Sequence, residues 1–205
     1  MKHTLILTMM MGAICVSGGV QNLAEDQQPT LEGLWMMSPQ ICRGKPWSWT
    51  AKAAGWKYDA ESSVCRATAS DSPMIAKVRP VERCPFIVNV GFQMQKGSIL
   101  QVFMDEIAFD LSDNGQTISV ADGPEYLRFR VKRPEGQRWS RLRIDRKQGT
   151  LSVTLNGNEV VRFDDNGRSY KRIGLKPIDG TIEVNGFTLT GHLVMETQKQ
   201  RTTEK

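Results

Sequence analysis

Glu106 and Asp110 are the first residues in this 205-residue sequence whose types and spacing could do chemistry. On an extended chain they share a face. One could protonate a glycosidic oxygen while the other attacks or activates water. Their Cα atoms would stand about 13 Å apart, so a retaining mechanism needs a bulge that brings the side chains together. A solvated strand face explains the same two residues without catalysis. His192 has no serine or cysteine partner recognisable from sequence, so a nucleophilic triad is not indicated.

Binding chemistry is better represented. Trp47 and Trp49, two apart beside Lys45 and Lys52, could stack on sugar rings, whose C–H edges suit flat aromatic faces. Trp35 and Trp56 read as core. Arg128, Arg130 and Lys132 lie on one alternating run, with Arg141 and Arg143 on the next. If the two runs pair, they form a cationic stripe suited to sulfated or uronic polysaccharide, unless neighbouring acids neutralise it. Asp110, Asp113 and Asn114, and again Asp164, Asp165 and Asn166, offer oxygen ligands for Ca²⁺. Asx-rich turns also satisfy themselves, so no metal or cofactor is expected.

These residues must be positioned by strands. Residues 139–163 (WSRLRIDRKQGTLSVTLNGNEVVRF) alternate strictly: Leu142 and Ile144 against Arg141, Arg143 and Asp145, then Leu151, Val153 and Leu155 against Ser152 and Thr154. Asn156-Gly157 can take positive φ at both centres of a type I′ turn before Val160, Val161 and Phe163 return. Similar runs at 31–37, 64–68, 74–78, 86–94, 98–104, 108–111, 117–120 and 126–132 are punctuated by Gly, Pro, Asn and Asp. In the last of these, Leu127, Phe129 and Val131 are expected to face inward. Residues 173–175, 181–184 and 187–193 close the pattern, and residues 38–56 read as an irregular connection. No convincing helical period follows the N-terminal segment, so the expected fold is all-β, a two-sheet antiparallel sandwich over residues 31–195.

The ends read differently. Lys2 and His3, an apolar run from Leu5 to Val16, and Ser17-Gly18-Gly19 have the layout of a secretory signal peptide, cleaved after Gly19 or Ala24. The run is too short for a stable membrane span. Cys15 follows Ile14, which is too bulky for a lipid-attachment signal, so a lipoprotein is the lesser alternative. Residues 25–30 form a polar lead-in and 196–205 a polar, disordered tail. The formal net charge of +5 falls to about +4 after export. That excludes dense nucleic-acid-binding tails. Cys42, Cys65 and Cys84 would then remain, giving one bridge and one free thiol with the pairing open.

Trp56-x-Tyr58-Asp59, Val64 with Ser70, and Phe86, Val88 and Phe92 resemble the opening strands of the concanavalin A-like lectin/glucanase superfamily. Trp139-x2-Leu142-x-Ile144, Leu151-x-Val153-x-Leu155-Asn156-Gly157-x3-Val161, and Ile173-Gly174-Leu175 ahead of 180–187 resemble its closing strands, most of all in laminin G-like modules and 3-keto-disaccharide hydrolase-like domains. The resemblance covers residues 56–193. It implies a jelly roll with a concave sheet open to sugar. Where a glucanase of this kind carries E-x-D-x-E, this chain has Glu106-Ile-Ala-Phe-Asp110. The expectation is therefore a secreted or periplasmic module that binds carbohydrate or another envelope polymer, of undetermined oligomeric state. A glycoside hydrolase of the same fold and a non-catalytic adhesion module are the alternatives.

Overall fold

The computed structural model describes residues 30–37, 55–59, 61–62 and 64–195. The expected signal peptide, residues 25–29 of the lead-in, the tail, and Trp47, Trp49 and Cys42 lie outside the described residues, and Thr30, expected in the lead-in, is the first residue of the first strand. Turn residues divide the alternating sequence into β1 (Thr30–Met37), β2 (Lys57–Asp59), β3 (Val64–Thr68), β4 (Met74–Ile75), β5 (Val78–Pro80), β6 (Phe86–Met94), β7 (Ile99–Met104), β8 (Ile107–Ser112), β9 (Thr117–Asp122), β10 (Glu125–Arg130), β11 (Ser140–Lys147), β12 (Thr150–Leu155), β13 (Asn158–Asp164), β14 (Ile173–Asp179) and β15 (Thr181–Met195). The main sheet runs β13-β12-β11-β6-β15-β3-β2, with β1 and β5 also paired to β15. A six-stranded sheet runs β10-β9-β8-β7-β14-β4. All neighbours are antiparallel, and the two sheets form an all-β sandwich.

Alternation places the core. Phe86, Val88, Val90 and Phe92 of β6 point inward with Leu142 and Ile144 of β11 and Leu151, Val153 and Leu155 of β12. Leu100, Val102 and Met104 of β7 and Ile107, Phe109 and Leu111 of β8 meet them from the second sheet. Each such side chain removed from water contributes about 2 kcal/mol. A one-residue slip would turn the whole set outward, so the register is strongly fixed. Trp56 is buried, and its indole N–H donates to Ser72 O at 2.9 Å.

Two findings depart from the sequence expectation. The single run expected at 74–78 is two short strands in different sheets: β4 pairs with β14 and β5 with β15. Between them Ala76 N–H donates to Ile173 O. Apolar periodicity cannot register such a crossing, because both sheets need the same inward residues. In β10, Leu127 is half exposed rather than inward and Phe129 is only partly buried, although Val131 is buried as expected. β10 is the last strand of its sheet, opposite β13, the last strand of the other, so its inward face meets an opening instead of a packed layer.

Candidate functional site

The outer face of the main sheet is built from the residues that alternate with the core: Asn89, Gly91 and Gln93 of β6, Arg141, Arg143 and Asp145 of β11, and Thr154 of β12. Cross-strand register aligns them. Arg143 stands opposite both Thr154 and Asn89, and Asn89 opposite Thr188 of β15. In the neighbouring row, Arg141 faces Gly91 and Gly91 faces Gly186. A β-bulge between Val184 and Gly186 makes room for Asn185 as an extra residue. A side chain at position 91 would meet Asn185 Oδ1 at 2.1 Å, so glycine there lets the Asn185 amide lie across β6. At Gly186 and Gly157 a Cβ would meet nothing within 4 Å. The result is a trough of about 460 Å³ lined by Asn89, Arg141, Arg143, Thr154, Asn185 and Thr188 around this glycine floor.

The trough is anchored at both strand turns. Asn156, at φ 51° with Gly157 at φ 83°, forms the tight turn expected from sequence. Its side chain then clamps β11: Arg141 N–H donates to Asn156 Oδ1 at 2.9 Å, and Asn156 N–H donates to Arg141 O at 2.8 Å. Asn156 Nδ2 donates to Gly115 O at 2.9 Å, tying the turn to the loop after β8. Asn89 Nδ2 donates to Thr188 Oγ1 at 3.1 Å, leaving the Asn89 carbonyl oxygen free to accept. Beyond Gly91, Glu183 accepts from Arg66 Nε at 2.9 Å and also from Gln93. Burial works to raise the Glu183 carboxyl, but Arg66 and Gln93 outweigh it and hold it below the usual carboxylate range.

A second depression, about 520 Å³, lies where the sandwich opens between β10 and β13. Val120, Leu127, Val161 and Phe163 supply apolar lining, and Glu106, Asp122, Glu125 and Asp164 carry carboxylates beside Arg162 and Arg168. Much of this charge is already spent. Arg168 Nη1 donates to Asp122 Oδ1 at 2.6 Å, Arg162 pairs with Glu159 at 2.7 Å, and Asp164 Oδ1 accepts from Asn166 N–H. The segment after β13 is held by a buried ion pair, Arg146 with Asp165, whose side chains are 2% and 0% exposed. Arg146 also sits 5.9 Å from the ring centroid of Tyr170, whose phenol burial pushes up.

The sequence candidates separate in space. Glu106 sits in the two-residue turn between β7 and β8 and lines the edge cleft, whereas Asp110 lies on the outer side of β8 and accepts from Gln101 Nε2 at 2.9 Å. They do not form one strand face. Arg128 and Arg130 stand opposite Ser119 and Thr117 in the six-stranded sheet, while Arg141 and Arg143 belong to the main sheet. The two runs do not pair, because residues 131–139 carry the chain from one sheet to the other, so no five-residue cationic stripe forms. The oxygen-rich turns are occupied internally: Asp113 accepts from Thr117 Oγ1, Asn114 from Met94 N–H, and Asp165 from Arg146. Among the described residues no group of three or more Asp, Glu, His or Cys is arranged to hold a metal ion. His192 is exposed on β15, and its register partner is Glu32.

Sequence reasoning missed Asn89, Asn185 and the clamping role of Asn156. One signal was present: Gly91 interrupts an otherwise alternating strand, and an interior strand glycine marks a bulge or a close approach.

No family model and no curated protein sequence matches the chain. Its fold is similar to solved structures. A Bacillus licheniformis β-glucanase is 8% identical with a TM-score of 0.50, over 67% of this chain and 83% of that one. The VIP36 exoplasmic/lumenal domain in its metal-free form is 10% identical with a TM-score of 0.50, over 71% and 85%. The GH43 protein BlXynB mutant (K247S) from Bacillus licheniformis is 8% identical with a TM-score of 0.50, over 69% of this chain and 35% of that one. At these identities the likeness is one of fold.

Proposed function

We propose that the chain binds carbohydrate in the trough on the outer face of the main sheet. The observation that carries this reading is a glycine-cleared floor ringed by amides, hydroxyls and guanidinium groups on paired strands. Sugars present closely spaced hydroxyls that donate and accept at once, and Asn89, Asn185 and Thr154 offer both functions in return. Strand pairing holds these groups in place, so little ordering is lost on binding. Fold similarity to a protein named as a glucanase supports a sugar-directed reading. Trp47 and Trp49 are proposed as an added aromatic platform. Export by residues 1–24 belongs to the same proposal, as does a Cys42–Cys65 bridge, since Cys84 is a free thiol and Cys65 is buried.

The test is a glycan array probed with the full chain and with Asn89→Ala, Asn185→Ala, Trp47→Ala and Trp49→Ala. Binding that drops in the asparagine variants is the expected result. Binding to no glycan would overturn the reading, and unchanged binding in both asparagine variants would remove the trough as its site. The carboxylates of the edge cleft favour a second reading, a glycoside hydrolase acting there. Its check is release of reducing ends that disappears in Glu106→Gln.

A further inference from the structure

We infer that the trough selects polysaccharides that carry an anionic group, a carboxylate or a sulfate ester, and that Arg141 holds that group. The inference rests on the carbohydrate reading and adds the ligand class.

The lining of the trough sets the class of ligand it can hold. Among the described residues it contains two arginines, two asparagines, two threonines, Val90, Leu142 and three glycines, with no carboxylate and no aromatic ring. None of these residues offers a neutral pyranose a flat aromatic face on which to stack, and stacking is the usual source of affinity for an uncharged ring. The arginines are not equivalent. Arg143 Nη2 pairs with Asp145 Oδ2 at 2.7 Å, so its charge is already answered within β11. The guanidinium of Arg141 has no hydrogen-bond or ion-pair partner among the described residues. It is exposed, yet its backbone is fixed at both N–H and C=O by Asn156, which is itself tied to Gly115. Its cross-strand neighbour is Gly91, over which the Asn185 amide lies in place of a β6 side chain. A planar donor with an unanswered charge on a rigid strand, with the Asn185 amide beside it, fits an oxyanion with two or more acceptor oxygens.

A single exposed ion pair is worth only a few-fold in affinity. A polymer with an anionic group on each repeat adds to that gain by offering the one site many equivalent groups in succession.

Affinity electrophoresis of the full chain through gels containing a polyuronate, a sulfated glycan or a neutral glucan tests this. The expected result at low salt is retardation by one or both acidic polymers and none by the glucan, with the two acidic gels separating carboxylate from sulfate recognition. Raising ionic strength to about 0.15 M should weaken it. Arg141→Gln should weaken retardation about fivefold, Arg141→Lys, which keeps the charge but loses the planar fork, should recover only part of it, and Arg128→Gln, an exposed arginine on the other sheet, should leave it unchanged. Far-UV circular dichroism and melting confirm that each variant is folded. Equal losses in Arg128→Gln and Arg141→Gln would assign the effect to diffuse protein charge and overturn the inference. So would single-stranded DNA binding as strongly as the polyuronate. Glucan retardation insensitive to Arg141→Gln would overturn the anionic class and leave the carbohydrate reading standing, whereas retardation by no polymer would remove both.

Discussion

The trough and the edge cleft are similar in size and opposite in chemistry, and the contrast follows from where each sits in the sheets. The trough lies over β11, β6 and β15, in the middle of the main sheet, where strands on either side fix every backbone group. Its floor is glycine and its charge is positive. The cleft lies where both sheets end, so its walls are edge strands and a turn, its lining is apolar core side chains left uncovered, and its charge is mainly carboxylate. A mid-sheet site inherits rigidity from the fold. An edge site must add its own fastening, and the buried Arg146–Asp165 pair supplies it.

That difference can be broken directly. The largest effect is expected from Asp165→Ala, which strands Arg146 in the interior: about 3–5 kcal/mol of stability should be lost, read from denaturant midpoints. Next comes Asn156→Ala, which removes the clamp on Arg141 and leaves Gly115 O without its partner. A loss of about 1–3 kcal/mol should accompany weaker glycan binding, seen by melting and by gel retardation. A loss of stability with full binding would show that Arg141 needs no clamp.

Gly91→Ala should be milder in stability, about 1–2 kcal/mol, because the clash is with the movable Asn185 side chain. Its main effect should be on binding, since Asn185 would be driven into the trough. The same substitution should leave the edge cleft untouched, so unchanged binding would sharpen attention on the cleft instead.

The smallest effect is the pH response of Glu183. Its carboxyl is held low in the folded chain, so the stability it contributes is present above the unfolded pKa, about 4.3, and is lost as pH falls through the lower folded value. Arg66 is half exposed, which limits the contribution to under about 1 kcal/mol. Glu183→Gln should flatten that part of the acid limb of the melting profile.

How much of this was legible in the sequence varies by residue. Leu142, Ile144, Leu151, Val153 and Leu155 are core as their alternation required, and Asn156-Gly157 is the tight turn its types required. Arg146 is harder. Its position is in phase with Leu142 and Ile144, so parity alone sends it inward, but only Asp165, nineteen residues on, makes that burial tolerable. Glu106 and Asp110 look like a pair because sequence spacing assumes a continuous strand, and the turn at Asp105-Glu106 breaks it. Arg128 and Arg141 look like one stripe because runs adjacent in sequence often pair, and here they sit in separate sheets.

By itself the sequence determined which side of each strand faces the core and where the tight turns fall, since both are set by residues within a few positions of one another. Tertiary structure decided which strands became neighbours, and with that which outward residues share a site. Gly91, Arg141 and Gly186 meet only because β6 inserts between β11 and β15. Strand order depends on how two sheets close over a common core, a long-range packing outcome to which local alternation is indifferent.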